Sequence, residues 1–244
     1  PLGGTNGDKE VFLLYELCPG KLHNDTVPVL LKADGLGCVQ VAIIQPDLIS
    51  DEQGATGLPE SEVLMIASHV VKGLLHMHLQ QPPIAHRDIK PENILLGVDN
   101  KWKLCDFGSC TVETHTNINS EVRDSPFILS DSIYHVFRTA GPSRTRLNGN
   151  DSAVQAPEQI DLYSGFPIDE KVDIFALGCL IFTLLFFRSP FDPDLVLEHA
   201  NARYTVPPHA KLSPGMTQLL ARTLTQDPRQ RISSADLWSQ LDCL

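Results

Sequence analysis

The 244-residue chain has no excess of positive charge: 19 Lys and Arg stand against 30 Asp and Glu, a net charge of -11. That balance argues against a general binder of nucleic acid or of anionic lipid, leaving only local basic groups to hold a phosphate. Paired CxxC motifs are also absent. The six cysteines, at 18, 38, 105, 110, 179 and 243, are scattered through apolar or loop contexts, which predicts reduced thiols in a cytosolic protein. Cys105 and Cys110 with a histidine could in principle hold zinc, but they bracket an aspartate turn that another motif explains better. No apolar run reaches the roughly 18 residues of a membrane span. The longest, VDIFALGCLIFTLLFF at 172–187, carries Asp173 and Gly178 and predicts a helix buried inside the domain. No charged, apolar, small-residue leader opens the chain, so no secretory signal is expected.

What is present is a globular composition, 42% hydrophobic and 20% charged, sufficient for one large core or two modest ones. VFLLYELC at 11–18 predicts a strand ended by Pro19 and Gly20. Residues 20–57 carry no single pattern. After Pro59, acidic Glu60 and Glu62 open a run in which Val63, Ile66, Val70, Leu74 and His78 recur at three- to four-residue steps, predicting a long amphipathic helix. His69, His76 and His78 invite a metal reading, yet no carboxylate joins them at ligand spacing, and packing is the better reading. Ser213 and Pro214 predict a helix start with Met216, Leu219, Leu220 and Leu224 facing inward; Ser233 and Asp236 predict another. The chain has no internal repeat and no nucleic-acid motif.

The chemistry is concentrated in AHRDIKPENILL, 85–96. NILL and KWKLC, joined by the turn residues GVDN, predict a hairpin ending at Asp106. Such a hairpin brings Asn93 and Asp106, two hard oxygen ligands, to one magnesium ion, which takes a couple of protein oxygens and leaves its other positions to phosphate and water. Phe107 would anchor the turn and Gly108 would let it bend. Asp88 is then placed to accept a hydroxyl proton, and Lys90 to offset charge on a phosphoryl group in transfer. The alternative, that these polar residues only cap strands and turns, serves for any one of them but not for the set at this order and spacing.

HRDIKPEN at 86–93 and DFG at 106–108 resemble the catalytic loop and metal loop of eukaryotic protein kinases, and Lys90 resembles the serine/threonine branch. The resemblance implies ATP and Mg2+ as cofactors and a protein hydroxyl as acceptor. It assigns catalysis to Asp88, Lys90, Asn93 and Asp106, metal binding to Asn93 and Asp106, and nucleotide contacts to Glu16, Cys18, Lys90, Asn93, Leu95 and Asp106. Supporting roles fall to His86, Arg87, Phe107 and Gly108. APE at 156–158 is similar to the motif closing the family's activation segment, where Glu158 would pair with the arginine of a late DPxxR pattern, here Arg231; a surface charge pair is the alternative for Arg231. Asp173 resembles the residue that holds the catalytic-loop backbone from beneath, although Phe175 stands where the family usually has tryptophan. ELC, HMHLQQPPIAHRD, KLCDFGS, IDLYSGFPIDEKVDIFALGC and RSPFD look more narrowly like the Numb-associated kinases, the family that includes cyclin-G-associated kinase. That implies clathrin adaptor subunits as substrates, and a cytoplasmic, vesicle-associated setting.

On this resemblance the expected fold is α+β: a mainly helical kinase C-lobe with a hinge strand and short β-hairpins. Its parts would be a hinge at 15–20, a catalytic loop at 86–93, an activation segment at 106–158 and a helical base at 168–244. Only ten residues precede the strand at 11–18, too few for the family's glycine-rich loop, strand lysine and helix, so residues 1–10 read as a loop stub and the N-lobe is expected to be largely absent. VAII at 41–44 lacks the lysine and follows the hinge. The isolated chain is therefore expected to bind ATP weakly or undetectably and to expose an apolar surface around Tyr15 and Leu95 that invites aggregation or a partner. Asp151 falls where the family keeps a threonine and Val154 where it keeps a tyrosine, with Ser152 as a substitute after a one-residue slip. Thr139, Ser143, Thr145 and Ser152 are phosphosite candidates, although a solvated loop full of hydroxyls is the commoner explanation for such a segment. Two readings follow: a serine/threonine kinase, or a kinase-like module that binds partners and transfers nothing. Accidental motifs in an unrelated globular protein are remote.

Overall fold

The computed structural model describes residues 57–97, 99–115, 155–192 and 195–241. The predicted strand at 11–18, with Tyr15, Glu16 and Cys18, lies outside the described residues, as do the stub at 1–10 and positions 139, 143, 145, 151, 152 and 154.

Helix α1 spans Glu60–His78. Pro59 stands at its N-cap, Glu60 and Glu62 occupy the positive end of the helix dipole, and Val63, Ile66, Ala67, Val70, Val71, Leu74 and Met77 form the buried stripe. A two-stranded antiparallel sheet follows, β1 (Ile94–Leu96) and β2 (Trp102–Leu104), in the register Ile94↔Leu104 and Leu96↔Trp102. Asn100 takes the left-handed conformation in the connecting turn, φ 56°, which asparagine tolerates better than most residues. The hairpin lies close to α1: a Cβ on Gly73 would stand 3.1 Å from Leu104 Cδ1, and His69 Nδ1 accepts from the Trp102 amide at 3.4 Å.

The remaining described elements are helical: α2 (Pro157–Ile160), α3 (Lys171–Phe186), α4 (Val196–Ala200), α5 (Pro214–Thr223) and α6 (Ser234–Leu241). Helix α3 is the apolar run read from the sequence. A helix apolar on every side finds its place in the middle of a domain, and its residues from Val172 through Phe182 are all buried. Ser213 caps α5, its Oγ accepting from the Met216 amide at 3.1 Å, and Ser233 does the same for Asp236 at 3.1 Å. The described residues are thus mainly helical with one small hairpin, as the sequence predicts.

Gly178 sets the distance between α3 and the end of α5. A Cβ there would stand 2.7 Å from Thr223 Oγ1 and 2.8 Å from Leu224 Cδ2. Gly178→Val should therefore cost about 1–3 kcal/mol by overpacking, read as an earlier urea midpoint; an unchanged midpoint would show that the two helices separate easily.

Candidate active site

Asp173 lies in the first turn of α3 and is fully buried. A buried carboxylate is costly unless its oxygens are saturated with hydrogen bonds. Here Oδ2 accepts from the His86 amide at 2.7 Å and from His78 Nε2 at 2.9 Å, while Oδ1 accepts from the Arg87 amide at 2.7 Å. The carboxylate thereby grips two successive peptide units of the loop, and it does so at a strained place: Arg87 has φ 66°, a left-handed conformation that costs a side-chain-bearing residue about 1–3 kcal/mol.

His86 carries the order forward. Its Nε2 donates to the Cys105 carbonyl at 3.2 Å and its Nδ1 accepts from the Asp88 amide at 3.3 Å. These two bonds require the neutral ring, and burial lowers the His86 pKa in the direction that keeps it neutral, against the opposing pull of Asp173 and Asp88. The ring also packs against Phe107, with centroids 5.2 Å apart. Half-buried Phe107 thus anchors the turn after Asp106.

Asp88 is held through its side chain as well. Lys90 Nζ stands 3.0 Å from Oδ1, and Asn93 Nδ2 donates to Oδ2 at 2.6 Å and to the Asp88 carbonyl at 2.9 Å. Asn93 closes the short 3-10 turn Pro91–Asn93, and its carbonyl accepts from the Cys105 amide at 2.9 Å. Asp106, the next residue, is therefore delivered beside this cluster by the hairpin register. It is exposed, lies at φ 59°, ψ 76°, and its Oδ1 accepts from the Gly108 amide at 3.2 Å. The bend expected of Gly108 is made by Asp106 instead: Gly108 has no positive φ, and an aspartate can take the left-handed conformation when its short side chain bonds the local backbone.

With the Asn93 nitrogen committed to Asp88, its oxygen Oδ1 is directed away from that bond, and Asp106 retains Oδ2. One amide oxygen and one carboxylate oxygen make a hard donor set that suits Mg2+, which otherwise prefers phosphate and water. Cys110 does not compete: burial, aided by Asp173 and Asp106, pushes its thiol up to about 12. Alkylation of Cys110 at pH 8 should then run at least about a hundredfold slower than that of a free cysteine, because the thiolate is the reactive form. Mass spectrometry after timed iodoacetamide labelling checks this, and rapid labelling would contradict it.

Below the site, Glu158 and Arg231 form a two-pronged ion pair, 2.7 Å from NH1 to Oε1 and 2.9 Å from NH2 to Oε2, with both side chains fully buried. The surface alternative for Arg231 is thus overturned. Its remaining donors reach the Thr225, Lys171 and Gln226 carbonyls, so burial is compensated at all five N–H groups. Phe175 lies under the guanidinium at 5.0 Å, which gives the residue at the family's tryptophan position a stacking role. Leu95 is half-buried, and the apolar surface expected with Tyr15 lies partly outside the described residues.

His78 was read from the sequence as packing, and its bond to Asp173 was missed. The signal was available: a histidine on an otherwise apolar face needs a polar partner, and Asp173 is the lone charge within the apolar run. His78→Leu should cost about 1–3 kcal/mol by leaving Asp173 short of a donor, whereas His78→Gln, which reaches as far as Nε2, should keep most of the stability. Urea unfolding compares the two; equal losses would deny the bond its role.

The family model for the protein kinase domain matches residues 39–241. A probable serine/threonine-protein kinase of Dictyostelium discoideum is 39% identical over 197 residues, covering 80% of this chain and 22% of the relative. Actin-regulating kinase 1 of Saccharomyces cerevisiae is 35% identical over 174 residues, covering 71% of this chain and 25% of its own length. A second probable serine/threonine-protein kinase of D. discoideum is 33% identical over 237 residues, covering 96% of this chain and 18% of the relative. The chain spans no more than 25% of the length of these curated relatives.

Proposed function

This chain belongs to the protein kinase family, and on that premise we propose that it carries the catalytic loop of a serine/threonine kinase that moves the γ-phosphate of ATP to a protein hydroxyl. The observation carrying this reading is the arrangement of Asp88, its oxygens engaged by Lys90 and Asn93, beside the turn that presents Asp106. In this mechanism Asp88 orients the acceptor serine or threonine and takes its proton as the new O–P bond forms and the bond between the γ-phosphorus and the ADP oxygen breaks. Lys90 offsets charge on the equatorial phosphoryl oxygens. Asn93 Oδ1 and Asp106 would hold Mg2+, which when bound supplies charge neutralisation for the phosphates. Glu16 and Cys18, through backbone groups, and Leu95 would contact the nucleotide.

At a finer level we place the chain with the Numb-associated kinases, on the motifs it shares with them, and expect clathrin adaptor subunits as acceptors in a cytoplasmic, vesicle-associated setting. The yeast relative is named for actin regulation, which makes actin-associated proteins the second acceptor class to assay. The test is incorporation of labelled phosphate from ATP and Mg2+ into casein or an adaptor peptide by the protein that carries this chain. Phosphoserine or phosphothreonine in the acceptor is the expected result. The competing reading, a partner-binding module, expects acceptor binding with no phosphate transferred.

A further inference from the structure

Helix α4 is attached to the domain in an unusual way. Leu195, Val196 and Leu197 are exposed, and His199 is its single buried residue, 4% accessible. The His199 ring stacks on Phe191, 4.3 Å between centroids and 8° from parallel; Phe191 stacks on Phe175 at 5.6 Å and 10°; and Arg231 covers Phe175 at 5.0 Å. His199 also faces Phe175 directly, at 6.2 Å and 18°, so the three rings form one cluster, and the two donors on it, Arg231 and His199, hold the two ends of one tetrapeptide. Arg231 grips the Glu158 carboxylate, and His199 Nε2 donates to the Gln155 carbonyl at 2.7 Å. The bond to a carbonyl requires the proton on Nε2. Burial lowers the His199 pKa to about 4, so the ring is neutral near pH 7.

The same peptide unit is held from its other side, since the Ala156 amide donates to Gln159 Oε1 at 3.0 Å and Ala156 is fully buried. His199 and Gln159 thus clamp the Gln155–Ala156 peptide between them. Earlier in the chain, backbone bonds pair Ala85 with Thr111 and His115 with Ile168.

We propose that His199 is a positioning residue for the site: it ties the Gln155–Ala156 peptide to Phe175 on α3, the helix whose Asp173 holds the loop carrying Asp88, and so sets how a protein acceptor is presented to Asp88. The acceptor half of this proposal rests on the phosphotransfer reading above; the clamp does not.

Two variants separate donor from stack. His199→Phe keeps the ring and loses the N–H; His199→Gln keeps a donor at the reach of Nε2 and loses the ring. Hydrogen exchange at the Ala156 amide should accelerate about tenfold in the Phe variant, the size of effect expected for one lost buried hydrogen bond, and stay near wild type in the Gln variant. The KM for a protein acceptor should rise by about the same factor in the Phe variant, with the KM for ATP within about twofold of wild type. Wild-type exchange in His199→Phe, or equal acceleration in both variants, would overturn the clamp. Equal changes in both KM values would overturn its role in presenting the acceptor. Absence of phosphate transfer by the wild type would instead count against the phosphotransfer reading, and the exchange rates would still decide the clamp.

Discussion

Arg231→Met is expected to lower the unfolding free energy by about 3–5 kcal/mol, because it leaves a buried carboxylate without its cation. Glu158 is fully buried, and the charge-assisted bonds to both of its oxygens come from Arg231. The same substitution strips donors from the Thr225, Lys171 and Gln226 carbonyls and removes the guanidinium from Phe175. Against a typical total of about 5–15 kcal/mol, that loss takes most of the stability of a marginal domain. Pairing the change with Glu158→Gln removes the stranded charge and should recover about half of the loss. Urea titration of the single and double variants checks both statements; a loss below about 1 kcal/mol in the single variant would mean that water reaches Glu158.

Asp88→Asn is expected to lower kcat by about two to four powers of ten, the range for removing a general base, with little change in the KM for ATP. The replacement is nearly isosteric, and its backbone remains fixed by the His86 ring and by Asn93. Steady-state kinetics with a protein acceptor make the comparison. A kcat within about threefold of wild type would remove Asp88 from proton transfer and leave it the lesser role of orienting the acceptor.

The helices were the most legible part of the fold. In α1 the apolar residues recur at the helical period and the acidic residues gather at its start, so pattern and structure agree from Glu60 to His78. The N-caps at Ser213 and Ser233 were equally readable, because a hydroxyl before an apolar run has few other local uses. Within the site, the return of Asp106 to the neighbourhood of Asn93 was readable, since hairpin pairing follows from the two apolar runs and their turn. The supporting contacts were less readable. His78 and Asp173 are 95 residues apart, and His199 and Gln155 are 44 apart; neither pair has a local pattern to join it. Arg231 was open to a surface reading because arginines are mostly exposed, and its burial depends on five acceptors drawn from three separate stretches of chain. The turn at Asp106 was assigned to the wrong residue for a simpler reason. Glycine is the usual occupant of left-handed backbone, but here an aspartate bonded to the Gly108 amide takes it.

Convergence of Asn93 and Asp106 on one metal and phosphate centre is the claim on which the mechanism stands. Electron paramagnetic resonance of Mn2+ titrated into the protein that carries this chain, with and without ATP, tests it most directly. The account predicts nucleotide-dependent Mn2+ binding that weakens at least about tenfold in Asp106→Asn, as expected for loss of one charged ligand. Equal Mn2+ affinity in wild type and variant would contradict it.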